Sequence, residues 1–220
     1  MKKILFLGIF FTFMISNSSF AAITYSGPQN ITVNLSNSAV IDFDGSGNIW
    51  YPFTISLQDV TSGPQTYRTL LYNIIGNTLV FYNISGGYIL GLGQKALNIG
   101  FADPIPPTLP WASTSDAYLT AVDLSTLAIF GEFNPATPSG YIGLLGLHDV
   151  SGTYNHYYGW LHISITDFGL DSMQATIDGW AYEDQNKVPI AAGTIPAPGA
   201  FILSIFGAGL VAYLRKRRTI

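Results

Sequence analysis

Short runs of alternating apolar and polar residues, separated by turn-forming residues, fill the chain from residue 23 to residue 192. In residues 31–35 the alternation has the period of two that is typical of a half-buried strand. Similar runs, rich in β-branched and aromatic residues, occupy residues 39–43, 50–57, 67–75, 78–84, 140–144, 157–166 and 173–183. This spacing predicts an all-β fold, an antiparallel β-sandwich of the jelly-roll or lectin-like kind, with a barrel as the alternative.

The sequence predicts a different local structure for each of three further segments. Gly76 and Asn77 both tolerate positive φ, so they predict a two-residue hairpin turn between two strands. Residues 103–110 contain four prolines and predict a loop. Residues 115–130 are ambiguous, and we expect a short helix or turn followed by a strand.

Composition and charge exclude several function classes. Residues 22–199 hold three basic and thirteen acidic residues, a local charge of −10. Nucleic-acid binding is excluded, because phosphate contacts need clustered Lys and Arg side chains. The chain has no cysteine, which excludes a disulfide framework, a thiol nucleophile and a thiolate metal site.

The N-terminus has the pattern of a secretory signal peptide. Lys2 and Lys3 precede an apolar run over residues 4–15, and Ser19 and Ala21 supply the small residues of a cleavage site. The run is too short to cross a membrane, since twelve residues span about 18 Å of a hydrocarbon core of about 30 Å. The sequence predicts a signal peptide over residues 1–21, removed by signal peptidase after Ala21.

The C-terminal residues 193–220 have three parts: a proline motif, an apolar run over residues 200–214 and a basic cluster. The motif is Pro196, Ala197, Pro198 and Gly199, and the cluster is Arg215, Lys216, Arg217 and Arg218. The apolar run predicts a short transmembrane helix, and the basic cluster keeps its end on the cytoplasmic side. On these physical grounds the tail anchors an exported domain as a stop-transfer segment.

This tail resembles the PEP-CTERM sorting signal of Gram-negative bacteria. Here Ala197 stands where that signal usually has a glutamate. Residues 158–164, 178–183 and 189–193 are also similar to the distal part of many PEP-CTERM ectodomains, so the resemblance spans residues 140–218. It implies recognition by an exosortase, processing near the proline motif, an inner-membrane intermediate, and delivery to the cell surface or extracellular matrix. A permanent single-span anchor is the alternative.

One acidic loop suggests a calcium site. Asp42, Asp44, Ser46 and the carbonyl near Asn48 supply oxygens at alternate positions, with glycines between them, as the first half of a Ca²⁺ loop does. The twelfth position, where such a loop has a bidentate carboxylate, is Phe53. An Asp/Gly/Asn hairpin turn is the alternative.

Three aromatic residues are candidates for stacking on sugar rings: Trp160, Trp180 and Tyr182. The alternative is that they are core or cross-strand partners. If His162 lies on a strand, it shares a face with Trp160. His148 and His156, the other histidines, have no recognised catalytic or zinc-binding spacing around them.

No catalytic residue is predicted, and we expect the protein not to be an enzyme. The carboxylates of Asp116, Glu132, Asp171 and Glu183 have no distinguishing sequence context, although a carboxylate pair can be far apart in sequence. The predicted function is a structural or adhesive role at the cell surface or in a polysaccharide matrix. The alternatives are a lectin-like carbohydrate-binding module, with or without Ca²⁺, and a secreted carboxylate hydrolase.

Overall fold

The computed structural model describes residues 23–44, 52–73, 78–81, 88–89, 93–96, 103–105, 111–112 and 116–195. Within these ranges the chain forms β-strands, turns and irregular segments and contains no helix. No membrane-spanning helix is therefore found in the described part of the chain. The predicted signal peptide, the predicted tail from Pro196 onward, and Ser46 and Asn48 of the predicted calcium loop lie outside the described residues.

Seven strands make up the first sheet, and all of their pairings are antiparallel. In spatial order they are β1 (Ile23–Tyr25), β15 (Gln174–Glu183), β14 (Thr153–Asp167), β13 (Ser139–Val150), β6 (Thr78–Phe81) and β10 (Trp111–Ala112), with β2 (Ile31–Val33) also paired to β15. The long strands β13, β14 and β15 form its centre.

The second sheet also has seven strands. In spatial order they are β3 (Ala39–Ile41), β4 (Phe53–Ser62), β5 (Gln65–Asn73), β11 (Asp116–Asp123), β8 (Gly93–Lys95) and β7 (Tyr88–Ile89), with β12 (Ile129–Gly131) also paired to β11. The pairing of β8 with β11 is parallel and the others are antiparallel. Two short strands, β9 (Pro104–Ile105) and β16 (Ile190–Ala191), pair with each other. Their buried isoleucines pack against side chains of the first sheet.

The two sheets share one apolar core. Alternate residues of β4 point into it, since Phe53, Ile55 and Leu57 are buried and the residues between them are half-buried. They pack in one cluster with side chains of the first sheet such as Ile142 and Leu161. Burying a side chain of this size stabilises the fold by about 1.5–3 kcal/mol, so the period-two pattern accounts for the association of the sheets.

Two equivalent turns carry the chain between the sheets. Asn34 follows β2, and its side-chain oxygen accepts a hydrogen bond from the Ser36 N–H at 2.9 Å. Asn134 lies between β12 and β13, and its side-chain oxygen accepts one from the Ala136 N–H at 2.9 Å. Each Asn forms an isolated bridge with the residue three positions later. The same asparagine-centred turn therefore makes a corner of the fold twice, once in each direction between the sheets.

The predicted helix at the start of residues 115–130 is wrong, because Asp116–Asp123 forms strand β11. This strand lies between β5 and β8 in the second sheet, and residues 117–123 are all buried. A strand covered on both faces has a continuous apolar run, which does not distinguish it from a helix. The strand expected after it is confirmed in a shorter form as β12.

The predicted hairpin at Gly76 and Asn77 is also wrong. These two residues lie outside the described ranges, but the strands that flank them, β5 and β6, belong to different sheets and do not pair. The hairpin in this region joins β4 to β5 instead, with Gly63 in the turn at φ 63°. The predicted loop at residues 103–110 contains the two-residue strand β9.

Candidate functional site

One extra residue in β15 decides which side chains reach the outer face of the first sheet, the face turned away from the second sheet. His162 of β14 pairs with Gly179, whereas the next residue, Ile163, pairs with Ile177. Asp178 is therefore the additional residue of a β-bulge. Before the bulge, the odd-numbered Ile177 packs in the core between the sheets, and after it the odd-numbered Ala181 packs on the outer face.

The bulge separates the three predicted sugar-stacking residues. Trp160 is 3% exposed and packs on the outer face, where its indole N–H donates to the Thr194 carbonyl at 3.2 Å. Trp180 and Tyr182 instead pack against the core between the sheets. Their rings stack on Phe43 at centroid distances of 5.8 and 6.2 Å. The three residues therefore lie on opposite faces of the sheet and do not form a single platform.

The structure describes only part of the predicted calcium loop. Asp42 and Asp44 are half-buried and flank Phe43, which is buried in the core. Within the described ranges, no group of three His, Cys, Asp or Glu side chains is arranged to hold a metal ion.

The outer face carries a hydrogen-bonded polar cluster that includes His162. Its Nδ1 lies 2.8 Å from Oδ2 of Asp178, and the Ser164 hydroxyl donates to the same oxygen at 2.7 Å. The His162 and Asp178 side chains are 27% and 33% exposed, so the cluster is open to solvent. Because His162 and Ser164 lie two residues apart on β14, they share a face, and the bulge brings Asp178 to that face beside them.

Aromatic rings surround this cluster. The Tyr141 ring lies 4.5 Å from His162 and 5.4 Å from Trp160, perpendicular to the indole. The Tyr25 ring is 5.9 Å from Trp160. The predicted sharing of a face by His162 and Trp160 is thus confirmed, since both rings contact Tyr141. We call Tyr25, Tyr141, Trp160, His162, Ser164 and Asp178 together the outer-face cluster.

The Tyr25 side chain packs against Gly179. A Cβ atom placed on Gly179 would lie 3.3 Å from the Tyr25 hydroxyl and 3.0 Å from the Gly27 carbonyl oxygen. The absence of a side chain at Gly179 therefore lets Tyr25 approach the sheet beside Asp178. Burial raises the pKa of the Tyr141 hydroxyl, and the neighbouring Tyr25 and Asp178 raise it further.

A second polar cluster joins the two sheets. The Arg68 guanidinium of β5 donates two hydrogen bonds to Asp59 of β4, at 2.8 and 2.9 Å, and its Nη1 lies 3.7 Å from Asp171 in the turn before β15. The hydrogen bond from Arg68 lowers the pKa of Asp59 despite the opposing effect of burial. The cluster links the sheets, because Asp59 and Arg68 lie in the second sheet and Asp171 lies in a turn of the first.

Two of the carboxylates considered for hydrolysis, Asp171 and Glu183, lie far apart. Asp171 precedes β15 and Glu183 ends it, so a ten-residue strand of roughly 33 Å separates them. Glu183 is 1% exposed, and its carboxylate accepts a hydrogen bond from the Gln185 N–H at 3.1 Å. Burial is the main cause that raises the Glu183 pKa. Burial raises the pKa of the Tyr118 hydroxyl, and the neighbouring Glu132 carboxylate raises it further. The side chain of Asp116 lies outside the described part of the structure.

Sequence reasoning did not single out Ser164, Asp178, Tyr141 or Tyr25. Their proximity depends on strand order, which has no local sequence signal, and on the bulge. The bulge is indicated only by the change from apolar residues at odd positions, such as Ile177, to large aromatic residues at the even positions 180 and 182. Comparison of this chain with protein-family models, with curated proteins and with solved structures gave no match.

Proposed function

We propose that the chain is an exported bacterial protein with a structural or adhesive role in a polysaccharide matrix. Residues 1–21 direct secretion and are removed by signal peptidase. Residues 193–220 act as a PEP-CTERM-like sorting tail that an exosortase-type enzyme recognises in the inner membrane. Residues 22–192 form the ectodomain, an antiparallel β-sandwich of the jelly-roll or lectin-like kind, which is delivered to the cell surface or extracellular matrix.

Contacts made just inside the two predicted processing points are the observation that carries this proposal. The first described strand begins at Ile23, two residues after Ala21, and pairs with Glu183 at the edge of the first sheet. At the other end, the Thr194 carbonyl still accepts the hydrogen bond from Trp160. Cleavage after Ala21 and near Pro196 leaves these contacts in place, as sorting of an intact domain requires.

The geometry of the outer-face cluster supports a role without catalysis. In a Ser-His-Asp triad the histidine lies between the other two residues and takes the serine proton. Here Ser164 and His162 both bind the same oxygen of Asp178, so the carboxylate occupies the central position. This arrangement fixes side chains in place and does not activate Ser164.

Intact-mass analysis of the protein from its producing cells, separated into membrane, surface and medium fractions, tests the proposal. We expect a mature form that starts at Ala22 and ends between Pro196 and Gly199 in the surface fraction or the medium. A form that ends at Ile220 and stays in the membrane would mean a permanent anchor, and delivery to the matrix would then be refuted.

A further inference from the structure

We propose that the outer-face cluster binds a neutral polysaccharide, with His162 and Asp178 hydrogen-bonding to sugar hydroxyls and Tyr25 and Tyr141 contacting the sugar rings. The inference rests on the proposed function, because it names the matrix component that the exported domain meets. It assigns the binding role to a different set of residues from Trp180 and Tyr182, whose rings pack inside the fold.

Two hydrogen-bond acceptors of the cluster are available to a ligand. Nδ1 of His162 and Oδ2 of Asp178 bind each other, and within the described part of the chain Nε2 of His162 and Oδ1 of Asp178 have no protein partner. When Nδ1–H donates to the carboxylate, the other nitrogen of the neutral imidazole is an acceptor. The cluster thus presents one acceptor at each end of the bonded His162–Asp178 pair, which suits a ligand with more than one hydroxyl donor.

The aromatic part of the cluster suits the apolar faces of a sugar ring. Tyr25 and Tyr141 are half-buried and flank Trp160, which lies beneath them. A tyrosine offers an apolar ring together with a polar tip, a combination that matches the C–H face and the hydroxyl edge of a pyranose. Trp160 is held by its bond to the Thr194 carbonyl, so the rings that rest on it are supported from below.

The site is arranged before any ligand binds. Ser164 and His162 both bind Asp178, and the bulge fixes the backbone from which that carboxylate projects. A group already held in its binding geometry loses little conformational freedom when a ligand arrives, and this favours affinity on a shallow surface.

Charge selects a neutral ligand over an acidic one. The outer-face cluster has no Lys or Arg, its carboxylate is that of Asp178, and residues 22–199 have an excess of ten negative charges. A uronic-acid polymer would meet like charge at this surface, whereas a neutral polymer would not.

Affinity electrophoresis of the mature protein from its producing cells tests the inference. The gels contain dextran, hydroxyethyl cellulose or galactomannan as neutral probes, or alginate as the acidic probe. We expect retardation in at least one neutral gel and none in alginate. His162→Ala should weaken neutral binding by about tenfold or more, since a ligand hydrogen bond and the support of Asp178 are lost together.

His156→Ala is the matched control, because His156 lies on the same strand six residues away, about 20 Å along β14. Its backbone is bonded to Asn186 and Lys187 rather than to the cluster, so we expect this variant to bind as the unaltered protein does. If His162→Ala fails to fold, His162→Phe keeps a ring against Tyr141 and removes the polar atoms.

Three results would overturn the inference: no retardation in any neutral gel, alginate retarding the protein most strongly, or equal binding by the His162 and His156 variants. Equal binding by the two variants would mean that the cluster stabilises the bulge in β15 and does not bind the polysaccharide. Because processing of the tail is read from intact mass, failure of this binding test and failure of the proposed sorting are distinguished.

Discussion

Replacement of Gly131 by alanine should harm the fold directly. It ends β12 with a φ of 119°, a conformation that residues with a side chain rarely adopt. A Cβ atom there would press against the backbone of β11, meeting the Leu119 carbonyl oxygen and lying 2.9 Å from the Thr120 Cα. Leu119 is itself the extra residue at a register shift between β11 and β5, and its carbonyl accepts a bond from the Phe133 N–H.

The free energy of unfolding should fall by about 4 kcal/mol in Gly131→Ala, because backbone strain and overpacking against β11 add together. Backbone strain at an unfavourable positive φ costs about 1–3 kcal/mol. The remainder comes from the steric contact, which involves backbone atoms and is relieved only if β11 and β12 move apart. Gly63→Ala is the matched control, since Gly63 also has positive φ, at 63°, but a Cβ atom there meets nothing within 4 Å. We expect that control to lose only about 1 kcal/mol.

Urea unfolding of both variants, followed by tryptophan fluorescence, measures these losses as shifts of the midpoint at unchanged slope. If Gly131→Ala and Gly63→Ala lose the same free energy within about 0.5 kcal/mol, the backbone contact at Leu119 relaxes freely, and the reasoning about the packing of β12 on β11 is refuted.

Two further predictions concern Glu183 and the corner turns. Burial raises the pKa of Glu183 in the folded protein, so the charged carboxylate is less stable there than in the unfolded chain. The stability of the protein therefore falls as pH rises from the ordinary carboxyl pKa to the raised one. Glu183→Gln should therefore gain thermal stability relative to the unaltered protein as pH rises from about 4, and a pH-independent difference in Tm would contradict this. Asn34→Ala should cost about 1 kcal/mol by urea unfolding, since its side chain accepts one backbone bond, and Asn134→Ala about 2 kcal/mol, since its side chain accepts two. Equal losses would mean that these bonds do not set the stability of the corners.

The all-β class could be predicted from the sequence, because the strands in question are half-buried. In β4 and β15 a buried residue alternates with an exposed or half-buried one over much of the strand, and such alternation has a single interpretation. Strand β11 could not be predicted, because its burial on both faces removes the alternation. Whether a strand could be recognised from its sequence therefore depended on whether one or both of its faces are buried.

Pairing between strands was less predictable than their existence. Gly76 and Asn77 have the composition of a hairpin turn, yet the strands around them belong to different sheets. The corner turns at Asn34 and Asn134 have the opposite property, because they share a structure while their four-residue sequences share only the first asparagine. The pairing of β5 and β6 with strands of different sheets is decided by contacts distant in the chain, whereas each corner turn is formed by the local bonds of its first asparagine.

The candidate site shows most clearly that a local pattern does not determine which face of a strand is buried. Along β15 buried and half-buried residues alternate without interruption, which by itself indicates one buried face from Gln174 to Glu183. The bulge at Asp178 changes which face is buried halfway along, and the alternation survives because residues on the outer face are also covered, by Tyr25 and the β9–β16 pair. The regular burial pattern thus conceals a change of face, and the residue inserted at that change carries the carboxylate on which the outer-face cluster depends.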